Sequence, residues 1–162
     1  MSRLVTLEFY PETFSFSAGH FTVFSATERE RLHGHNYSVA ATIAARIQEP
    51  GITFNYLVFK KRLLALCEQL DRHFLIAEKS PYLKIVARDN YYDVTFGEDE
   101  MSFLKKDALI LPVENTTLED LSKWIAEQLV ADSTFIRDNH IEQLTIKVFN
   151  GPEQSAAFSW HR

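Results

Sequence analysis

His33-Gly34-His35-Asn36-Tyr37-Ser38-Val39-Ala40-Ala41-Thr42-Ile43-Ala44-Ala45-Arg46-Ile47 is the stretch on which the fold turns. From His35 to Ile47 it repeats with period two. His35, Tyr37, Val39, Ala41, Ile43, Ala45 and Ile47 share one face, whereas Asn36, Ser38, Thr42 and Arg46 share the other. This is a strand with a well-defined apolar face. Upstream, Leu4 to Tyr10 and Phe14 to His20 alternate in the same way, and Phe14, Phe16, Ala18 and His20 lie on one side. The polar run Ser25 to Arg31 separates these two strands from the third.

Downstream, Pro50-Gly51 ends the strand, and Asn55 is placed to cap a helix from about Tyr56 to Leu70. Its buried stripe is Phe59, Leu63, Leu66, Cys67, Leu70 and Phe74. Residues 84 to 105 read as an inserted hairpin, Tyr91 to Phe96 and Met101 to Leu104 around Gly97-Glu98-Asp99-Glu100, with no chemistry assigned to it. Thr116-Thr117-Leu118-Glu119 opens a second helix with the stripe Leu118, Leu121, Ile125 and Leu129. Leu144 to Phe149 and Ala156 to Trp160 close the chain as a hairpin around Asn150-Gly151-Pro152. Hairpin-linked strands with helices on one face predict an α+β fold built on an antiparallel sheet, in one domain spanning residues 1 to 162.

Composition narrows the function. The formal charge of −5 comes with no Lys/Arg-rich run, so no nucleic-acid partner is expected. No apolar run approaches the roughly 18 to 20 residues of a membrane span, and Glu8 interrupts the only N-terminal apolar stretch, so no membrane partner is expected either. One Cys excludes an intrachain disulfide and fits a reducing compartment, which makes the cytoplasm the expected location.

Three of the six histidines stand where metal ligands would. His33 and His35 leave the same face of a strand, and His20 ends the strand before them. Antiparallel pairing of these strands would bring three imidazoles to one Zn²⁺ at about 2.0 to 2.1 Å and leave its fourth position open, the arrangement of catalytic sites. His73, His140 and His161 are isolated and read as ordinary polar residues.

Phe16-Ser17-Ala18-Gly19-His20 followed by His33-Gly34-His35-Asn36-Tyr37 resembles the zinc signature of the 6-pyruvoyltetrahydropterin and 6-carboxytetrahydropterin synthase superfamily. Asn55-Tyr56, Leu70-Asp71 and Thr116 to Leu121 extend the likeness over nearly the whole chain. The resemblance implies the tunnelling fold: an antiparallel four-stranded sheet backed by two helices, joined into an oligomeric barrel, a hexamer or trimer, with sites between subunits. It also implies a zinc-dependent lyase acting on 7,8-dihydroneopterin triphosphate or a related pterin. Folate, tetrahydrobiopterin-like and queuosine-precursor routes all fit it.

Within that likeness several positions depart from the commonest pattern. No Cys precedes His33; Glu30-Arg31-Leu32-His33-Gly34-His35 instead resembles the subgroup that replaces Cys by Glu and leaves 6-hydroxymethyl-dihydropterin. Glu30 is thus a general base by resemblance, or else a member of a solvated charged loop. Asp71 matches a family Asp that orients a catalytic His, but Arg72 stands where that His would be, and His73 inherits its place only if the helix has already ended. A helix-end contact is the other reading of Asp71. Glu119 matches a pterin-binding Glu and equally completes a Thr116-x-x-Glu119 capping box. Asn150 falls where the family has a second pterin-anchoring Glu, which exchanges a charged acceptor for a neutral amide. Those departures leave a second reading open, a non-catalytic or reassigned metal-binding homologue that takes another heterocycle.

Overall fold

A computed structural model describes residues 3–162. In chain order the elements are β1 (Leu4–Phe9), β2 (Ser15–His20), β3 (His33–Arg46), α1 (Tyr56–Leu70), β4 (His73–Ala77), β5 (Lys84–Arg88), β6 (Tyr91–Phe96), β7 (Asp99–Leu104), β8 (Ala108–Leu111), α2 (Leu118–Val130), α3 (Ser133–Asp138), β9 (Ile141–Phe149) and β10 (Ser155–His161). β3 is the spine. β1 pairs with its far half, Phe9 opposite Ala41, and β2 with its near half, His20 opposite His33, so the two short strands lie end to end along one edge. β9 takes the other edge and β10 follows it.

The sheet is larger than the expected four antiparallel strands. β4 pairs parallel with β2, and β8 parallel with β4, giving seven strands of mixed direction. His73-Phe74-Leu75-Ile76-Ala77 and Ala108-Leu109-Ile110-Leu111 are short runs with little or no polar alternation. Such runs are what a parallel strand buried on both faces looks like, and periodicity does not separate them from helix.

The period-two reading of β3 holds from Tyr37 to Ala45, and the strand ends at Arg46, one residue short of Ile47. Tyr37, Val39, Ala41, Ile43 and Ala45 are buried, and they join one core with Phe59, Leu63, Cys67 and Leu70 of α1 and Leu121, Trp124, Ile125 and Leu129 of α2. Both helices therefore cover the same face. Asn55 caps α1, its side-chain oxygen accepting from the Leu57 amide at 3.1 Å. Cys67 is packed in that core, and burial, with Glu68 and Asp71 nearby, pushes its thiol up to about 12. It is a small hydrophobe rather than a nucleophile.

α2 starts one residue later than its expected capping box implies. Thr117 is the N-cap and accepts from the Asp120 amide, while the Asp120 carboxylate accepts from the Asn115 amide at 2.8 Å. Asp120, not Glu119, reaches back to the backbone ahead of the helix, at Asn115 rather than at the cap itself, which leaves the Glu119 carboxylate free of a capping role.

The insertion is also more than a hairpin. β5, β6 and β7 form a separate three-stranded antiparallel sheet. Phe96 packs it against Phe21 and Val23, and Val94 packs it against Ile76 of β4 and Ala108 of β8.

Candidate metal centre and cleft

The core-facing row of β3 continues past Tyr37 into His35 and His33, where burial gives way to exposure. His20, at the end of β2 and itself buried, faces them across the strand pair. The Nε2 atom of His20 lies 3.1 Å from that of His33, which lies 3.1 Å from that of His35. For two of the three rings the other nitrogen is engaged: His20 Nδ1 donates to the Thr116 carbonyl at 2.8 Å and His33 Nδ1 to the Arg31 carbonyl at 2.7 Å. A neutral imidazole that donates from Nδ1 presents a bare lone pair at Nε2. Two lone pairs at that separation repel unless a cation or proton lies between them. Three imidazole nitrogens within 4.8 Å of one another, two of the rings oriented by backbone carbonyls behind them, fit a metal with an open position.

Burial pushes the His20 imidazole below its ordinary value of 6.5, against the opposing pull of the Thr116 carbonyl, and burial lowers His35 likewise. Neutral rings are the ligating form. The sign follows from proton counting: between the depressed folded value and 6.5 the unfolded chain binds more protons, so stability is fully present above 6.5 and is lost as pH falls through that window. Metal-free protein should therefore melt at a lower temperature at about pH 5 than at about pH 8, and His20→Gln should flatten the difference. An unchanged slope in that variant would show that other groups carry it.

Gly34 separates the two β3 histidines because nothing larger fits. A Cβ there would sit 2.8 Å from the Ala18 carbonyl oxygen of β2, a backbone atom that cannot swing away. Gly34→Ala must pry the β2–β3 pair apart at the ligand triplet, and should cost about 1–3 kcal/mol in chemical denaturation together with weaker metal binding. Wild-type values on both measurements would refute that account.

Glu30 lies beside this triplet. Its amide donates to the Thr22 carbonyl at 2.8 Å, and its Oε2 accepts from the Thr22 amide at 2.9 Å and stands 3.8 Å from His33 Nε2. It is therefore pinned, not a loose member of a solvated loop. Burial pushes its carboxyl up, but the Thr22 hydrogen bonds and the His33 and His20 rings outweigh that and hold it below the ordinary carboxylate range. Ionised at neutral pH, it is a proton acceptor.

A cleft of about 360 Å³ opens from this point, lined among others by Glu30, His35, Phe24, Glu119 and Asn150. The first turn of α2 brings Glu119, and the β9–β10 turn brings Asn150. Tyr37 forms part of the wall, stacked on Phe16 at 4.9 Å, with its buried hydroxyl unpartnered and pushed above its usual range by burial. Neither Tyr37 nor the carbonyls of Thr116 and Arg31 had been read as site residues. The tyrosine follows His35 at period two, a usable signal; a carbonyl leaves none.

Asp71 does not line that cleft. It caps α1, and its carboxylate accepts from the Ser17 amide at 2.8 Å and pairs with Arg72 at 3.4 Å. The helix has ended there, so His73 does follow the turn and opens β4, where it faces Ala18. Arg72 and His73 line a broader cleft of about 640 Å³ that reaches His33 and His35.

A mixed sheet backed by helices, carrying three converging imidazoles and a pinned carboxylate at one mouth, defines a small-molecule enzyme scaffold with a site fit for a metal. The chain belongs to the 6-pyruvoyl tetrahydropterin synthase family, whose model matches residues 11–160. A provisionally named 6-carboxy-5,6,7,8-tetrahydropterin synthase of Methanocaldococcus jannaschii is 23% identical over 144 residues, covering 88% of each chain. The 6-pyruvoyl tetrahydropterin synthase of Plasmodium vivax superposes with a TM-score of 0.92 at 28% identity over 99% of both chains. That of Plasmodium falciparum gives 0.89, again at 28% identity over 99% of both. In the Plasmodium vivax protein a glutamate is named as a catalytic residue, replaced by alanine or cysteine in two further structures.

Proposed function

We propose that the chain is a zinc-dependent lyase acting on 7,8-dihydroneopterin triphosphate or a close relative, with 6-hydroxymethyl-dihydropterin as product. The observation that carries this reading is Glu30 Oε2 standing 3.8 Å from His33 Nε2 at the mouth of the cleft that also holds Glu119. A catalytic glutamate in the Plasmodium vivax relative supports it. His20, His33 and His35 hold the metal. Bound Zn²⁺ supplies Lewis-acid polarisation of a hydroxyl oxygen on the pterin side chain. Glu30 takes the hydroxyl proton; the oxygen becomes a carbonyl as the adjacent C–C bond breaks, and the electron pair passes to the carbon left on the pterin ring. That carbon takes up a proton, returned by Glu30 or drawn from water, to leave the hydroxymethyl group, while the carbonyl fragment departs as an aldehyde. Glu119 binds the N–H donors of the 2-amino-4-oxopyrimidine edge with charge assistance, and Asn150 adds one neutral acceptor and one amide donor.

Asp71, at the end of α1, orients a catalytic histidine, with His73 two residues further on. The subunit is a single domain that assembles into an oligomeric barrel of three or six copies and acts in the cytoplasm. The outer edge of β10, unpaired among the described residues, supports strand pairing with another copy. No helix of the described residues is long and apolar enough to cross a membrane. One observation favours a second reading: Asn150 lies in the cleft in place of an expected carboxylate, which would suit a heterocycle other than a pterin.

The test is incubation of zinc-loaded protein with 7,8-dihydroneopterin and its triphosphate, followed by mass spectrometry of the products. Formation of 6-hydroxymethyl-dihydropterin supports the lyase and names its subgroup. Stoichiometric zinc with neither substrate consumed would overturn it in favour of the reassigned homologue.

A further inference from the structure

No residue of the inserted sheet lines the cleft that holds Glu30, yet one corner of the sheet is fastened to the loop that carries Glu30. Asp99, the first residue of β7, accepts from Arg29 Nε at 3.1 Å and from a terminal guanidinium nitrogen of the same side chain. The guanidinium lies 5.6 Å from the Phe21 ring centre and 5.8 Å from that of Phe96 in β6. Its remaining terminal nitrogen donates to the Glu30 carbonyl at 2.9 Å. Val23 and Arg29 form a β-bridge beneath it, next to the Thr22–Glu30 pair.

One side chain thus engages a carboxylate of the insertion, two aromatic faces and the backbone of Glu30. The planar fork of arginine suits such a junction, and the aromatic faces strengthen it. Arg29 is mostly buried, its side chain 18% exposed, whereas Asp99 is 57% exposed. A junction of this build is more than a surface ion pair, which would contribute little.

We propose that the inserted sheet positions the general base: Asp99, through Arg29, holds the Thr22–Glu30 loop so that the Glu30 carboxylate stays beside the histidine triplet. Arg29 is a positioning residue and does not line the cleft. This rests on Glu30 acting as base in the lyase reading. A base displaced by about 1 Å costs on the order of a hundredfold in rate. The loss falls on kcat with KM nearly unchanged, because substrate contacts remain and only a transition-state interaction weakens.

The experiment compares wild type, Asp99→Asn, Arg29→Ala, Arg29→Lys and the double variant Arg29→Ala/Asp99→Asn, with Glu98→Gln in the neighbouring turn as control. Expected are a roughly 10- to 100-fold fall in kcat for Asp99→Asn and Arg29→Ala, an intermediate fall for Arg29→Lys, and a double variant no worse than Arg29→Ala alone. Zinc stoichiometry and the Glu98→Gln rate should stay at wild-type values. Amide hydrogen exchange at Thr22 and Glu30, read on zinc-loaded protein without substrate, should quicken in Asp99→Asn. Unchanged kcat in Asp99→Asn, or unchanged exchange at those two amides, would overturn the proposal. Wild type that consumes no pterin sinks the lyase reading and removes the base-positioning role with it, while the exchange result still decides whether Asp99 holds the loop.

Discussion

Glu30→Gln is expected to keep its zinc and lose turnover by about 10²- to 10⁴-fold, the usual contribution of a positioned acid–base group. The substitution is nearly isosteric. Its amide oxygen still accepts from the Thr22 amide, the contact that now measures 2.9 Å, so the loop should stay closed. What disappears is proton affinity: a neutral amide does not take a hydroxyl proton at neutral pH. The ionised form of Glu30 is favoured by the Thr22 bonds and the neighbouring imidazoles despite the cost of burial, so the group proposed as base stands deprotonated at neutral pH. Glu30→Ala separates position from chemistry, since it loses the Thr22 contact as well and should also loosen the loop. Metal content by atomic absorption and steady-state rates on the pterin substrate read the two effects apart. Full activity in Glu30→Gln would remove Glu30 from the mechanism and return it to the status of a structural loop residue.

How far the sequence carried the reading depends on how local each cause is. The helix Tyr56–Leu70 was legible at both ends, because the Asn55 cap and the apolar stripe are written within one stretch of chain. β3 was legible because its partners all demand the same alternation. β4 and β8 were not, since four or five apolar residues paired in parallel depend on which strand lies alongside, a fact held elsewhere in the chain. α3 is six residues long, too short for a stripe. The same division runs through the site. His33 and His35 are two apart and share a strand face, so their convergence could be read; His20 needed only the pairing of neighbouring strands. The pinning of Glu30 by Thr22 could not be read, nor the junction of Arg29 with Asp99, whose residues are 70 apart. The cap of α2 falls one position later than the spacing suggested, at Thr117 rather than Thr116, because either threonine fits the rule.

His20→Ala and His33→Ala remove different amounts of structure for the same loss of metal, and that difference tests the geometry of the centre. Either variant leaves two imidazoles, too few for a three-histidine site, so stoichiometric zinc binding and turnover should both vanish at neutral pH. Wild-type protein should gain stability from zinc by mass action, about 2.7 kcal/mol at a hundredfold excess over Kd, and neither variant should show that gain. Without metal the two part company. His20 is buried and donates to the Thr116 carbonyl ahead of α2, so truncation leaves that carbonyl short of a partner and a void at the end of β2. A loss of about 1–3 kcal/mol is expected for the lost bond alone. His33 also donates to a carbonyl, that of Arg31 at 2.7 Å, but this contact is exposed and water replaces it, so its truncation should cost well under about 1 kcal/mol of metal-free stability. Urea denaturation of the three proteins with and without zinc gives all the comparisons together. Zinc-dependent stabilisation persisting in His20→Ala would show that the metal is held elsewhere, and equal metal-free losses in both variants would show that the His20–Thr116 contact does not anchor the site.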